Sequence, residues 1–410
     1  MLEGSATHIM RLSAVIRAPF FHLSFIYICT LLLAFFCFRS FLYSPLFSRK
    51  LYLQQKSQDF LQQNLKDGTN ALKHFHRLLS TEQSNLSIPC NHRPLESIKA
   101  SHAGTGTLLT ITIITTQRRP EYHYLLQVAN GFLDLLNDCG TDCSGFKLLV
   151  CNVDPHPSVH TDACLLSQLL PAIARYMSEH VAEAPNRFEQ EKRDYAYCLS
   201  QSLELYAPEY VLLVEDDAVP LADIFSAFFQ LVQVRFPKEP LGGGLYAKLY
   251  HPERLQGYLN PEPMRIVEWI GLGGLLGLVL TWLYTIIFHR PRFSWCVFVA
   301  LTIYTMLLAE LAGRHYLLEL RRVSPALYNV VPATECCTPA MLFSEASARR
   351  TLDYLKELQC KPGYAKDIAL YKELKKRKEW AWAIEPNLVK HVGMFSSLRG
   401  WYDGEEPKLL

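Results

Sequence analysis

The chain has 410 residues, enough for one large domain or two of ordinary size. Its charge is nearly balanced, 41 Lys and Arg against 39 Asp and Glu for a formal +2, which leaves neither a basic footprint for nucleic acid nor an acidic tail. Half of the residues are hydrophobic, a share that points to membrane segments.

The first apolar run, "FFHLSFIYICTLLLAFFCF" at residues 20–38, is long enough to span a bilayer core, and no small-residue cleavage site follows it. It therefore reads as an uncleaved anchor behind a cytosolic tail, residues 1–19. Residues 39–104 read as a stem. Within them "LYLQQKSQDFLQQNLKDGTNALKHFHRLL" places apolar residues at helical spacing, which predicts an amphipathic helix. The one N-glycosylation sequon, "NLS" at 85–87, also lies in this stem.

From there strands and helices alternate. "TLLTITIITT" (107–116) is a β-branched, buried strand, and a helix with Pro120 in its first turn and Gly140 past its end follows. "FKLLVCNVD" (146–154) is a second strand. Helical patterns cover 161–180 and 188–206, and "YVLLVEDD" (210–217) is a third strand. This order predicts right-handed crossovers and an α/β fold with a doubly wound, mostly parallel sheet. Ligands of such sheets sit beyond the carboxyl ends of the strands, so Thr115 to Arg118, Asp154 and Glu215 to Asp217 should share one crevice.

"GGGLYAKLYHPERL" reads as another strand, after which two more apolar runs, 266–288 and 293–313, are joined only by "HRPR". Four residues make a tight hairpin, and its two arginines favour the cytosol. Both large polar segments then face the lumen. Strand and helix patterns resume after the hairpin, so residues 105–262 and 314–410 read as one catalytic domain into which residues 263–313 are inserted. The alternative is two unrelated lumenal domains.

Cysteine usage agrees with a lumenal site. Of twelve cysteines, Cys29, Cys37 and Cys296 fall in apolar runs, which leaves nine outside. Cys139 with Cys143, and the adjacent Cys336 and Cys337, fit an oxidising compartment. An odd count leaves at least one thiol without a partner in the chain.

Three consecutive carboxylates, Glu215, Asp216 and Asp217, end an apolar strand and repel one another. A hard divalent cation, Mn²⁺ or Mg²⁺, takes oxygen ligands of this kind together with phosphates and water. A solvated acidic turn is the other reading. An apolar strand ending in EDD resembles the DXD motif of nucleotide-sugar glycosyltransferases with a GT-A fold, and "TIITTQRR" and "CNVD" resemble their first two strand ends. "CCTPAMLF" and "PNLVKHVGMFSSLRG" resemble C-terminal segments of the N-acetylglucosaminyltransferase IV group. With anchor and hairpin included, the whole chain resembles the Golgi GalNAc transferases that act on GPI glycans after attachment.

That resemblance implies a GT-A-like doubly wound mixed sheet split by a transmembrane hairpin, a Golgi multi-pass membrane enzyme with three membrane helices, and a lumenal site. It implies UDP-GalNAc as donor, the first mannose of a protein-linked GPI glycan as acceptor, and inversion. Asp217 and His391 of "KHVG" would hold Mn²⁺ or Mg²⁺, while Glu215 and Asp216 would serve the donor's ribose and sugar or the metal's water ligands. Thr115, Gln117, Arg118 and Asp154 would meet the uridine diphosphate. Asp154 reads equally as an Asx turn before Pro155, Arg118 and Arg119 as solvated charges, and His391 as a core histidine. Asp367 is the expected general base, with helix capping as its other reading, and Glu335 the second choice. An N-glycan N-acetylglucosaminyltransferase, or a non-catalytic membrane adaptor with a decayed transferase domain, remains the alternative function. The hairpin would keep the enzyme at the bilayer where lipid-tied acceptors lie, or serve only as an extra anchor.

Overall fold

The structure, a computed structural model, describes residues 19–82, 90, 106–177, 183–259, 262–289 and 292–395. It divides into two compact units. One joins the N-terminal residues up to Gln55 with Glu253–Leu320; the other joins Lys56–Pro252 with Arg321 onward.

The second unit carries an eight-stranded mixed sheet in the order β3-β2-β1-β4-β8-β6-β9-β7. A long helix, α1 (Arg49–Glu82), precedes β1 (Leu109–Thr115), and the predicted stem helix is thus present. Then come α2 (Tyr124–Cys139), β2 (Phe146–Asn152), α3 (Thr161–Leu166), β3 (Ala172–Ala174), α4 (Arg187–Tyr206), β4 (Tyr210–Glu215), β5 (Ala218–Pro220), α5 (Ile224–Phe229) and β6 (Ala247–Lys248). Beyond residue 320 lie β7 (Asn329–Pro332), β8 (Ala340–Ser344), α6 (Glu345–Glu357), α7 (Lys366–Lys376), β9 (Trp382–Glu385) and β10 (Val389–His391).

Strands β3, β2, β1 and β4 run parallel, whereas β8 pairs antiparallel with both β4 and β6. The sheet is therefore mixed, as the resemblance implies, and the strands read from the alternating pattern form its parallel half. The helical pattern over 161–180 needs correcting. The helix ends at Leu166, because Pro171 lacks an N–H, and its carbonyl accepts from Val150 as the chain enters β3. β6 lies between β8 and β9, so strands from before and after the apolar hairpin alternate within one sheet.

Successive side chains of a strand face opposite sides. Ile111, Ile113, Leu212 and Val214 join a core with α2, α5 and the C-terminal half of α1, which contributes fully buried Phe75. Leu149, Cys151 and Leu213 face the other way, onto α4, α6 and α7. Gly68 is required where α1 crosses the chain: a Cβ there would overlap the Tyr122 carbonyl.

Four disulfides form: Cys90–Cys164, Cys139–Cys143, Cys151–Cys198 and Cys336–Cys337. Cys360 is the thiol left over outside the apolar helices, as the odd count requires.

In the other unit, two helices, Pro263–Ile287 and Trp295–Ala312, are long and apolar enough to cross a membrane, with mean hydropathy 2.0 and 1.9. Gly273 and Gly277 lie against Met306 and Thr302, so a Cβ at either would clash, while Gly271 and Gly274 face open space. Trp269 Nε1 donates to the Met306 carbonyl at 2.7 Å. The first apolar run is a helix, Pro19–Phe38, whose Tyr27 ring stacks on Tyr304 at 4.6 Å. Its described apolar stretch, Leu23–Phe38, is shorter than a span. The sequon at 85–87 and Arg290 of the hairpin turn lie outside the described residues.

Because Phe75 seats α1 in the core, Phe75→Ala should cost about 3–5 kcal/mol of stability. Denaturant unfolding of the detergent-solubilised protein measures this; a change under about 1 kcal/mol would mean that α1 is not part of the core.

Candidate active site

The strand order changes direction between β1 and β4: β1 leads outward to β2, and β4 returns to the other side of β1. Loops leaving two such neighbours open a crevice. Residues Thr116, Gln117, Arg118, Tyr124, His160 and Asp216 line one there.

The three acids at the β4 tip divide between two sets of partners. Asp216 and Asp217 are buried, at 5% and 1% exposure. Arg118, from the loop after β1, reaches both: its Nη2 pairs with Asp216 Oδ1 and with Asp217 Oδ2, the latter at 2.8 Å. Its Nη1 donates to the Phe395 carbonyl at 3.2 Å. His391 Nε2 stands 3.6 Å from Asp217 Oδ2. Glu215 is partly exposed and turns to other groups: Lys366 Nζ at 3.1 Å, and the Thr338 hydroxyl, which donates at 3.3 Å. Lys366 also pairs with Glu191 Oε1 at 2.5 Å. The acids thus meet a guanidinium, an imidazole and an ammonium from three distant parts of the chain.

Burial alone would raise the carboxyl pKa of Asp216 and Asp217. At Asp217, Arg118 and then His391 outweigh burial and hold it below the ordinary value; Asp216 stays above its own. Of the two, Asp217 is the acid whose charge its surroundings favour. Burial opposes the charge of Lys366, but Glu191 and Glu215 keep it well above its usual pKa.

His391 reaches Asp217 because β10 pairs antiparallel with β5, which sets His391 opposite Ala218. The Val392 N–H donates to the Asp217 carbonyl at 2.8 Å. A Cβ on Gly393 would overlap the Asp217 carboxylate, so the glycine of "HVG" lets the chain pass over that acid.

Thr115 and His160 support the other side. The Thr115 hydroxyl donates to Asp216 Oδ2 at 2.8 Å, so His160 Nε2, 2.7 Å from the same hydroxyl, must donate to it. His160 Nδ1 accepts from the Ala163 N–H at 3.5 Å, which fits that tautomer. Burial lowers the His160 pKa, in keeping with a neutral ring.

Other expected residues are present in altered roles. Gln117 contributes its backbone N–H, which donates to Asp154 Oδ2 at 2.9 Å. Asp154 also accepts from the His156 N–H at 2.8 Å, an Asx turn. Asp367 accepts from the N–H groups of Cys337 at 3.1 Å and Ile368 at 2.8 Å, with Ala365 as the helix cap. Glu335 is exposed. Arg119 lies over the Phe395 ring at 4.8 Å. His160, Glu191, Lys366 and Gly393 escape sequence reasoning. Of these, only Gly393, inside the "HVG" segment, had a nearby signal.

Among the described residues no group of three or more His, Cys, Asp and Glu side chains could by itself hold a metal. Asp217 Oδ1 is nevertheless buried without a hydrogen-bond partner, beside an imidazole nitrogen near its sister oxygen. One carboxylate and one imidazole suit a cation whose remaining ligands are phosphate and water.

Two predictions follow from this geometry. Gly393→Ala should push Asp217 aside and reduce activity by about 100-fold. Gly106→Ala, where a Cβ meets open space, should have no effect in the same assay. Because the fold depresses the His160 pKa, the unfolded chain binds more protons between that depressed value and about 6.5. The His160 contribution to stability should therefore fall as pH drops below about 6.5, and His160→Gln should flatten the pH dependence of thermal unfolding there.

A family model described as GPI-N-acetylgalactosamine transferase PGAP4 matches residues 109–390, from the first residue of β1 into β10. The match covers well over half of the chain and takes in Thr115, Asp217 and Lys366. The chain belongs to the GPI-N-acetylgalactosamine transferase PGAP4 family.

Proposed function

We propose that the protein is a Golgi membrane enzyme that moves GalNAc from UDP-GalNAc, with inversion, onto the first mannose of the glycan of GPI-anchored proteins. The family supports a GalNAc transferase acting on GPI glycans. A GT-A-like arrangement is supported by acids at the end of a central parallel strand, beside the loop after β1. The observation that carries the reading is buried Asp217, with one oxygen unpartnered and His391 close to the other.

Asp217 and His391 would hold Mn²⁺, or Mg²⁺, which at that position neutralises the donor's diphosphate as a Lewis acid. Arg118 already bridges Asp216 and Asp217, and its guanidinium can share charge with a phosphate at the same place. Thr115 and His160 fix Asp216 for the ribose or sugar. Glu215, held by Lys366 and Thr338, would bound the acceptor side.

Inversion requires one in-line displacement and one base that takes the proton of the acceptor hydroxyl. Glu335 is the freer of the two candidates, because its side chain is exposed while both Asp367 oxygens accept backbone N–H groups. Anchoring by the N-terminal helix and the hairpin would keep the enzyme at the lumenal face of the bilayer, where the acceptor's lipid confines it, and so raise effective concentration.

The test incubates the full chain in nanodiscs with Mn²⁺, a GPI glycan and a panel of UDP-sugars. UDP-GalNAc alone should give a β-linked product. Asp217→Ala should lower transfer by at least about 100-fold, beyond the range of outer-shell changes. Glu335→Gln should abolish transfer but keep UDP binding, while Asp367→Asn keeps part of the activity. Transfer of another sugar, or full transfer by Asp217→Ala, would overturn the proposal.

A further inference from the structure

Lys248 takes no part in the chemistry above, yet it is among the most deeply buried large side chains of the sheet, at 2% exposure. It sits on the short strand β6, between β8 and β9. Its Nζ donates to the carbonyl of Thr334 at 2.8 Å and to that of Cys336 at 2.8 Å. These two carbonyls flank Glu335. Among the described residues no carboxylate lies within ion-pair distance of Nζ. Burial pulls its pKa down to about 7, with Asp367 the nearest charge that opposes this.

A buried ammonium without a carboxylate is costly, and an apolar side chain would fill the same space without that cost. What Lys248 does that methionine could not is bind two loop carbonyls. The same loop is held elsewhere as well. The Cys337 N–H donates to Asp367 at 3.1 Å, and Cys337 has a left-handed backbone, φ 69°. The Thr338 hydroxyl donates to Glu215 at 3.3 Å, and the Pro339 carbonyl accepts from the Glu215 N–H at 2.7 Å. Residues 334–339 therefore run from the acid cluster to the start of α7, with Lys248 as the fastening beneath Glu335. Arg118, Thr115 and His160 hold the opposite side of the cluster and do not touch this loop.

We propose that Lys248 is a positioning residue that sets the Thr334–Pro339 loop as the acceptor-side wall of the site and aims Glu335 at the acceptor hydroxyl. The inference rests on the transferase reading above and assigns that site its acceptor face. Removing Lys248 should then impair use of the glycan acceptor while leaving nucleotide recognition in place. A side chain that merely fills the core would affect both together, through stability.

The experiment uses the full chain in nanodiscs and two measurements: UDP affinity with Mn²⁺ by calorimetry, and acceptor kinetics with UDP-GalNAc and a GPI glycan. Lys248→Met should raise acceptor KM or lower kcat/KM for the acceptor by about 10- to 100-fold, the range for losing hydrogen bonds to a charged donor. Its UDP affinity should stay within about twofold of the parent. Lys248→Arg, which keeps a buried donor, should recover part of the acceptor efficiency. If Lys248→Met fails to fold, Lys248→Arg with an altered acceptor KM and parental UDP affinity supports the same assignment. Equal loss of UDP affinity and acceptor efficiency, or parental acceptor kinetics in Lys248→Met, overturns it. Failure of the parent protein to bind UDP or to transfer GalNAc would instead count against the transferase reading itself.

Discussion

Three adjacent carboxylates at the end of a buried strand set the terms for the rest of the molecule. Two unit charges 4 Å apart repel by about 4 kcal/mol at an effective dielectric of 20, a sizeable part of a domain's whole stability. The chain resolves this by division. Asp216 and Asp217 share Arg118, Asp217 also has His391, and Glu215 takes Lys366. None of these partners neighbours the acids in sequence, so the site exists only once β1, β4, β10 and α7 are all assembled. Offsetting the charge and folding the domain are one requirement.

The same requirement explains why an apolar hairpin can interrupt the sequence without dividing the sheet. Arg118 lies before it, while His391 and Lys366 lie after it. β6, the last strand before the hairpin, is hydrogen-bonded between β8 and β9, the strands after it. The first half alone would leave Glu215 without Lys366 and Asp217 without His391. The loop under Lys248 adds a second link of this kind, since a residue from before the hairpin fastens a segment from beyond it. Arg118 braces the acids themselves, and Lys248 fastens the loop whose Thr338 bonds Glu215.

Much of this was legible in the residues. β-branched runs located β1, β2 and β4, and EDD marked the strand end whose Asp216 lines the crevice. The glycine and histidine of "KHVG" carried the resemblance that pointed to His391, although the steric need for Gly393 appears only in three dimensions. Counting cysteines foretold a spare thiol, which is Cys360. Local pattern failed where distant pairing decides. Three residues of β3 hide in a helical periodicity, because a strand that short owes its form to β2. Asp154 and Asp367 look like ligand groups in sequence, yet both bond backbone N–H groups of nearby loops. His160, Lys366 and Lys248 carry no signal, since an isolated histidine or lysine reveals its role only by its partners.

The central claim is that Asp217 and His391, beside Arg118, form a seat for a cation and a nucleoside diphosphate together. Calorimetric titration of UDP into the full chain, with Mn²⁺ and again with chelator, tests it most directly when repeated on His391→Ala. The account predicts binding that is strong with Mn²⁺, weak in chelator, and insensitive to Mn²⁺ once the imidazole is gone. Equal UDP affinity in metal and in chelator for the parent protein would contradict it.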